Sequence, residues 1–351
     1  MKASLLGMLA CPGCGAELRM QAFSKKGSET TEGVISCGKC AAWYPVIGGI
    51  PRMLPLHMIN GRILKPFLEK HGGSLPRSKT AESHGDEKLK QRTSKSFGFQ
   101  WNVFSRMFPE YEKNFLDYIH PLGPKFFRGK FVLDAGCGFG RHTYYAAKYG
   151  AQVVGFDLSD AVEAAYENCG KLPNVHIVQG DIYHLPFRRR FDFIMSIGVL
   201  HHLPDPKRGY MELVMLAGPG TLVLAWLYGK EGRAFKTVFL EGTIRRMTVS
   251  MPQRMLYYFC YLPASLYHST NLVYNALRKA GLKGLAEKLP FKNYAKFPFR
   301  VKLADAYDFL GTPVNNYYTR EECERWAKDA RLKNVSVTSL GGRSWRIFGT
   351  K

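Results

Sequence analysis

The stretch Phe131-Val-Leu-Asp-Ala-Gly-Cys-Gly-Phe-Gly140 restricts the fold more than any other part of this 351-residue chain. A short apolar run at 131–133 ends in an acid, Asp134, and Gly136, Gly138 and Gly140 follow at alternate positions before a helix-compatible run over 141–149. The pattern predicts a buried strand, a tight turn and a helix start. Glycine is needed where the chain takes positive φ or where another group comes too close for a Cβ. The first turn of a helix also leaves N–H groups free to meet an anionic part of a ligand. A strand-to-helix turn without a ligand would look the same, so the flanking sequence has to decide.

Downstream, strands are predicted over 131–134, 152–157, 175–178, 191–197 and 221–227, with a helix near 207–216 before the last of them. Strands alternating with helices imply a parallel sheet with right-handed crossovers. Ligands of such sheets sit beyond the carboxyl ends of the strands. Asp134, Asp157 and Asp181 all fall at or just after such ends. A carboxylate at Asp157 could accept hydrogen bonds from both hydroxyls of an adenosine ribose. That would also suit NAD, but the turn is Gly-x-Gly-x-Gly rather than Gly-x-Gly-x-x-Gly, and nothing nearby suggests a nicotinamide site.

Four blocks, Asp134-Ala-Gly-Cys-Gly-Phe-Gly140, Gly155-Phe-Asp-Leu-Ser159, Gly180-Asp-Ile-Tyr-His-Leu-Pro-Phe187 and residues 191–203, together resemble class I S-adenosylmethionine-dependent methyltransferases of the type 11-like kind. The resemblance implies an α/β fold: a Rossmann-like, seven-stranded sheet with helices on both faces. It further implies that Asp134, Ala135, Gly136, Cys137, Gly138 and Gly140 cradle the methionine part of S-adenosyl-L-methionine. Asp157 would hold the ribose, Leu158 would pack on the adenine, and Asp181 would accept from the adenine amino group beside a backbone contact at Ile182. Residues from Ser196 to His201 would lie near the methyl group. His201 and His202 are the candidate catalytic residues. Either could take a proton from a hydroxyl or carbon acid near neutral pH, and the alternative is a hydrogen-bonded histidine that only shapes the pocket. The Asn/Asp-Pro-Pro-aromatic tetrad of enzymes that methylate nucleobase amino groups is absent here. Near the end, Thr319-Arg-Glu-Glu322 reads as a capping box opening a helix to about Ala330, and 335–339 and 345–349 as an antiparallel pair closing the sheet. Residues 315–318 read as a surface turn, with a reach into the substrate pocket as the alternative.

The N-terminal part has its own signature. Cys11-Pro-Gly-Cys14 and Cys37-Gly-Lys-Cys40 are two Cys-x-x-Cys knuckles. Four thiolates in two close pairs can surround a structural Zn²⁺ tetrahedrally, with Gly13, Gly15 and Gly38 letting the knuckles curl. Two disulfides or a redox pair are the competing readings, and a reducing compartment disfavours the first. Together with Trp43-Tyr-Pro-Val-Ile-Gly-Gly-Ile-Pro-Arg-Met-Leu54, the knuckles resemble the small zinc-ribbon proteins that activate tRNA and translation-factor methyltransferases. That resemblance implies a built-in module that stabilises the core or presents substrate.

Charge is unevenly placed. The net +22 is built from +8 over 1–96, +1 over 97–229 and +13 over 230–351, where 22 Lys/Arg face 9 Asp/Glu. A basic surface outside a neutral centre favours anionic partners. Residues 229–302 hold 14 Lys/Arg against Glu231, Glu241 and Glu287, around a strongly apolar, tyrosine-rich run at 255–267. Three readings are open: an ordinary helical cap, a peripheral membrane or lipid contact through 245–283, and RNA contact by stacking tyrosines. No uninterrupted run of 18 apolar residues predicts a spanning helix, and the short apolar start at 1–11 runs straight into a Cys-x-x-Cys pair rather than a cleavage site. A cytoplasmic location, with association at a membrane surface, is expected.

The expected organisation is a zinc-ribbon domain at 1–56, a linker at 57–96, the S-adenosylmethionine-binding core at 97–229, a basic apolar helical insert at 230–302 and the C-terminal part of the core at 303–351. Aromatic residues at 97–104 are expected to build core or to form a lid. The expected activity is methyl transfer to a small-molecule, lipid-linked or sugar acceptor. An rRNA or tRNA acceptor and a non-catalytic binding or scaffold subunit are the alternatives.

Overall fold

The computed structural model describes residues 1–76, 87–188, 191–231 and 235–351. Its strands are β1 (Leu18–Lys26), β2 (Glu29–Cys37), β3 (Trp43–Ile47), β4 (Ile50–Met53), β5 (Phe131–Ala135), β6 (Gln152–Asp157), β7 (Val175–Gly180), β8 (Phe193–Ile197), β9 (Leu222–Tyr228), β10 (Lys333–Ser339) and β11 (Ser344–Thr350). They form one sheet in the order β1-β2-β3-β4-β7-β6-β5-β8-β9-β11-β10. From β7 to β9 the strands run parallel, and β11 and β10 close the far edge antiparallel.

Successive strand residues feed opposite layers, as the two-residue period of a strand requires. Leu133, Val154, Val178 and Ile194 enter one cluster, which includes Leu213 and Trp326 from the helices Pro206–Leu216 and Arg320–Asp329. Val132, Val153, Ile177 and Phe193 enter the other, with Phe115 and Tyr145 from the helices Glu110–Ile119 and Arg141–Lys148. With both faces covered, apolar residues run continuously through the central strands.

The sheet has eleven strands rather than seven. The expected seven are consecutive within it, and the N-terminal ribbon supplies the other four. β4 pairs parallel with β7, Arg52 opposite Gln179 and Met53 opposite Gly180. An exposed edge strand offers unpaired N–H and C=O groups, and β4 fills that edge.

Two boundaries differ from expectation. The stretch read as a linker holds the helices Gly61–His71 and Glu87–Val103, while residues 77–86 within it lie outside the described residues. The division at 302 falls inside the helix Phe299–Gly311. Leu303, Ala304 and Tyr307 of that helix pack with Leu256, Cys260 and Ala264 of the insert, so the insert and this helix share one core.

Candidate active site

The opening turn has the geometry its glycines suggest. Gly136 sits at φ 89°, and a Cβ there would stand 2.2 Å from a Val199 methyl. Its N–H and that of Cys137 both donate to the Phe156 carbonyl, tying the turn to β6. Asp134 is fully buried. Thr143 Oγ1 donates to its Oδ2 at 2.7 Å, while Oδ1 has no hydrogen-bond partner among the described residues. Burial pushes this carboxyl up to about 7. Asp157, ending β6, accepts from the Gly138 N–H at 2.9 Å through Oδ2, and from the Ser159 N–H and hydroxyl at 2.8 and 2.7 Å through Oδ1. Burial raises its carboxyl and these bonds oppose the rise.

Asp181 follows β7. Its Oδ1 accepts from the Tyr183 N–H at 3.0 Å, and its Oδ2 from Lys90 Nζ at 2.6 Å in a buried ion pair. Lys90 belongs to the helix Glu87–Val103, whose residues 87–96 fall in the stretch expected to be a linker. Trp101 of the same helix lies over Gly138, 3.3 Å from where a Cβ would be, and against Phe139. Phe104, one residue beyond the helix, packs with Tyr257 and Tyr307 instead. Of the 97–104 aromatics, Phe97 and Trp101 thus border the cavity and Phe104 builds core.

These groups border one cavity of about 820 Å³. Gly136, Cys137, Gly138, Asp157, Leu158, Asp181 and Ile182 line it, as does His202. Asp134, Ala135, Gly140, Ser196 and His201 do not. Ser196 is buried and donates to the Ala135 carbonyl at 2.9 Å, bracing β5 against β8. His201 is buried, with its ring 3.8 Å from that of Tyr228. His202, on the same short turn Leu200–His202, is the histidine that reaches the cavity. Its Nδ1 lies 2.8 Å from the Val314 carbonyl oxygen, and burial lowers its pKa, which keeps the ring neutral near pH 7.

Most of the remaining wall comes from residues that sequence reasoning did not single out. Asp305 and Asp308 project from the helix Phe299–Gly311 into the cavity. Tyr228 donates to Asp308 Oδ2 at 3.2 Å. Burial and the neighbouring Asp308 raise the Asp305 carboxyl to about 7. Trp226, Tyr267, Phe291 and Tyr294 add aromatic surface, and Asn315 and Tyr317 also line the cavity, the alternative reading of 315–318. Acids three apart on one helix face were the available signal, but sequence alone does not say which face of a helix meets the cavity.

In the ribbon, the four sulfurs of Cys11, Cys14, Cys37 and Cys40 lie within 4.8 Å of one another, and none is in a disulfide. Cys11–Cys40 and Cys14–Cys37 are each 3.5 Å apart, close to the sulfur separation of roughly 3.8 Å implied by Zn–S bonds of about 2.3 Å in a tetrahedron. The two knuckles have matching backbones. Cys11 N–H donates to the Ala16 carbonyl and Gly15 N–H to that of Cys11; Cys37 N–H donates to the Ala42 carbonyl and Ala41 N–H to that of Cys37. The left-handed residue of each is the fourth after its first cysteine, Gly15 at φ 70° and Ala41 at φ 58°. Gly13 and Gly38 do not take that conformation.

Residues 133–225 match the family described as a methyltransferase domain. The chain is 33% identical over 129 residues to a ubiquinone biosynthesis O-methyltransferase of Coxiella burnetii, matching 34% of this chain and 53% of that protein. It is 30% identical over 183 residues to a tRNA U34 carboxymethyltransferase of Pseudoalteromonas translucida, matching 51% of this chain and 48% of that protein. The matched part is thus about half of each relative's length. A solved structure of an S-adenosylmethionine-dependent methyltransferase from Aquifex aeolicus is similar over 70% of this chain and 98% of that one, at 18% identity and a TM-score of 0.38. The centre of the chain is a class I, S-adenosylmethionine-dependent methyltransferase domain. The four-cysteine ribbon is built onto the edge of that domain's sheet.

Proposed function

We propose that the chain transfers a methyl group from S-adenosyl-L-methionine to a small-molecule, lipid-linked or sugar acceptor. The observation that carries this reading is the shared cavity, where the glycine turn and Asp157 meet an aromatic wall bearing His202, Tyr228, Asp305 and Asp308. The ubiquinone O-methyltransferase relative supports an acceptor of this kind.

The turn, whose Gly136 and Gly138 border the cavity at positive φ, fits the methionine end of the cofactor. When bound, that cofactor supplies a methyl group already activated on a sulfonium. The chain's task is then alignment and, for a hydroxyl acceptor, removal of a proton. Asp157 and Asp181 would hold the nucleoside, Leu158 and Ile182 would enclose the adenine, and His202 Nε2 or an Asp308 oxygen would receive the acceptor's proton. Cys11, Cys14, Cys37 and Cys40 would hold structural zinc.

Titration calorimetry should show S-adenosylmethionine binding that Asp157→Ala weakens by at least about a hundredfold, since a half-buried charged acceptor with several donors is lost. No heat with the wild-type chain would refute the reading. Mass spectrometry of cell extract incubated with enzyme and labelled cofactor would then identify the acceptor. The tRNA-modifying relative and the basic insert favour RNA as a second reading. RNA binding with a steep salt dependence and label recovered in RNA would select it.

A further inference from the structure

The helices Gln253–Phe259 and Tyr261–Lys279 are apolar on two sides. Leu256, Cys260 and Ala264, four residues apart, are buried against Leu303, Ala304 and Tyr307. The outward side carries Met255, Tyr258, Leu262, Leu266 and Val273, each between 51% and 73% exposed. Leu282 and Leu285 continue it at 52% and 54%. Of the fourteen large hydrophobic residues exposed among the described residues, twelve lie between Met247 and Phe291. That concentration sets the face apart from the scattered apolar residues of an ordinary surface.

The charge around it has one sign. Between residues 242 and 304, eleven Lys/Arg are opposed by Glu287 alone. Arg254 stands exposed near one end of the apolar side, and Lys279, Lys283 and Lys288 near the other. Glu287 is already engaged by Lys292, 3.0 Å away. An exposed apolar stripe bounded by cations fits an anionic bilayer surface, where side chains enter the acyl boundary and ammonium groups meet lipid phosphates. A protein partner with an acidic rim would satisfy the charge, but the aliphatic residues follow one helix line as an interfacial helix requires. No described helix is long and apolar enough to cross a membrane, which suits a segment lying on it.

We infer that this face of the insert docks the protein onto the surface of an anionic lipid bilayer. Tyr267, on the same helix, lines the cavity from its inner side. One wall of the cavity thus belongs to the element that meets lipid, so an acceptor dissolved in the bilayer would have a short path to it. The docking itself does not depend on what is methylated.

The test is flotation of the full-length chain with vesicles of phosphatidylcholine alone and of phosphatidylcholine containing about 30% phosphatidylglycerol, a content chosen to give an anionic surface. The chain should float with the anionic vesicles and much less with the neutral ones. The triple substitution Leu262→Ser, Leu266→Ser, Val273→Ser should lower partitioning by about tenfold or more, as removing apolar area from an interfacial helix predicts. Arg254→Glu with Lys279→Glu and Lys283→Glu should abolish the preference for anionic lipid. All six residues are exposed and outside the cavity, so unchanged thermal unfolding and S-adenosylmethionine binding would show that the variants fold. Absence of flotation, or flotation that survives the triple serine substitution, overturns the proposal. So does a concentration-dependent dimer, or capture of RNA, that the same substitutions abolish while flotation is missing.

Discussion

Asp134, beneath the glycine turn, shows what burying one carboxyl does to the pH dependence of folding. Its carboxyl is fully buried with one oxygen unpartnered among the described residues, and burial raises it to about 7. In the unfolded chain the same group ionises near about 3.9. Between these values the folded state keeps a proton that the unfolded state has lost, so this residue makes stability fall as pH rises across that window. Buried His142, His176 and His202 act in the opposite sense at the acid end, because burial lowers each of them. The informative quantity is therefore the difference between wild type and Asp134→Asn, in which the histidine contributions cancel. Urea unfolding of the ligand-free proteins should show the wild type losing stability relative to the variant from about pH 4 to about pH 7, with a constant gap above. Parallel curves would mean that Asp134 is ionised throughout.

Among elements, the helix Glu87–Val103 covers the turn while burying a polar face. Lys90, Thr93, Ser96 and Gln100 are all less than 10% exposed. Ser96 donates to the Gly311 carbonyl at 2.7 Å and Gln100 to that of Ala304 at 3.2 Å, stitching the helix to the helix Phe299–Gly311. Lys90 reaches Asp181, with its ammonium 4.4 Å from the Tyr183 ring centre. Breaking a buried pair leaves one charge stranded, which costs about 3–5 kcal/mol. Lys90→Met and Asp181→Asn should each destabilise by about that much, and the double variant by less than their sum, with a coupling of about 1–3 kcal/mol in denaturant unfolding. Additive losses would show that the two residues act separately. This helix also marks the limit of what the sequence reveals. The central strands were legible because apolar runs and glycines repeat there with strand and turn periods. A helix that buries lysine, threonine, serine and glutamine has no apolar period to detect, and its residues 87–96 read as a solvated linker. Neighbouring His201 and His202 raise a similar difficulty, since only the local turn decides that one packs on Tyr228 and the other meets the cavity. A four-residue strand such as β4 gives no sign in sequence of pairing with a strand more than a hundred residues away.

At the scale of the whole molecule, the ribbon and the methyltransferase sheet are one hydrogen-bonded body. Lys2 Nζ donates to the carbonyls of Gly170, Leu172 and Val175 at 2.6–2.8 Å. Ala10 N–H donates to the Pro186 carbonyl and Arg188 N–H to that of Met8. Arg52, fully buried on β4, donates to Gln179 Oε1 at 3.0 Å and pairs with Glu163. Gln179 Nε2 in turn donates to the Leu158 carbonyl at 3.1 Å. Arg52 and Gln179 thus link the ribbon to Leu158, the residue that follows Asp157 at the end of β6. A structural metal contributes folding free energy only while its ligands are held, so chelation should loosen the ribbon and pass part of that loss along this link. Removing the zinc we propose, under conditions that leave the core folded, should speed hydrogen exchange in β1–β4 and then in β7. It should also weaken S-adenosylmethionine binding by about tenfold, within the usual range for two coupled sites. Arg52→Met should reproduce the binding loss without releasing zinc, because it cuts the link and leaves the four cysteines in place. If chelation frees one metal per chain yet leaves both exchange and Kd unchanged, the ribbon is neither held by its metal nor coupled to the site.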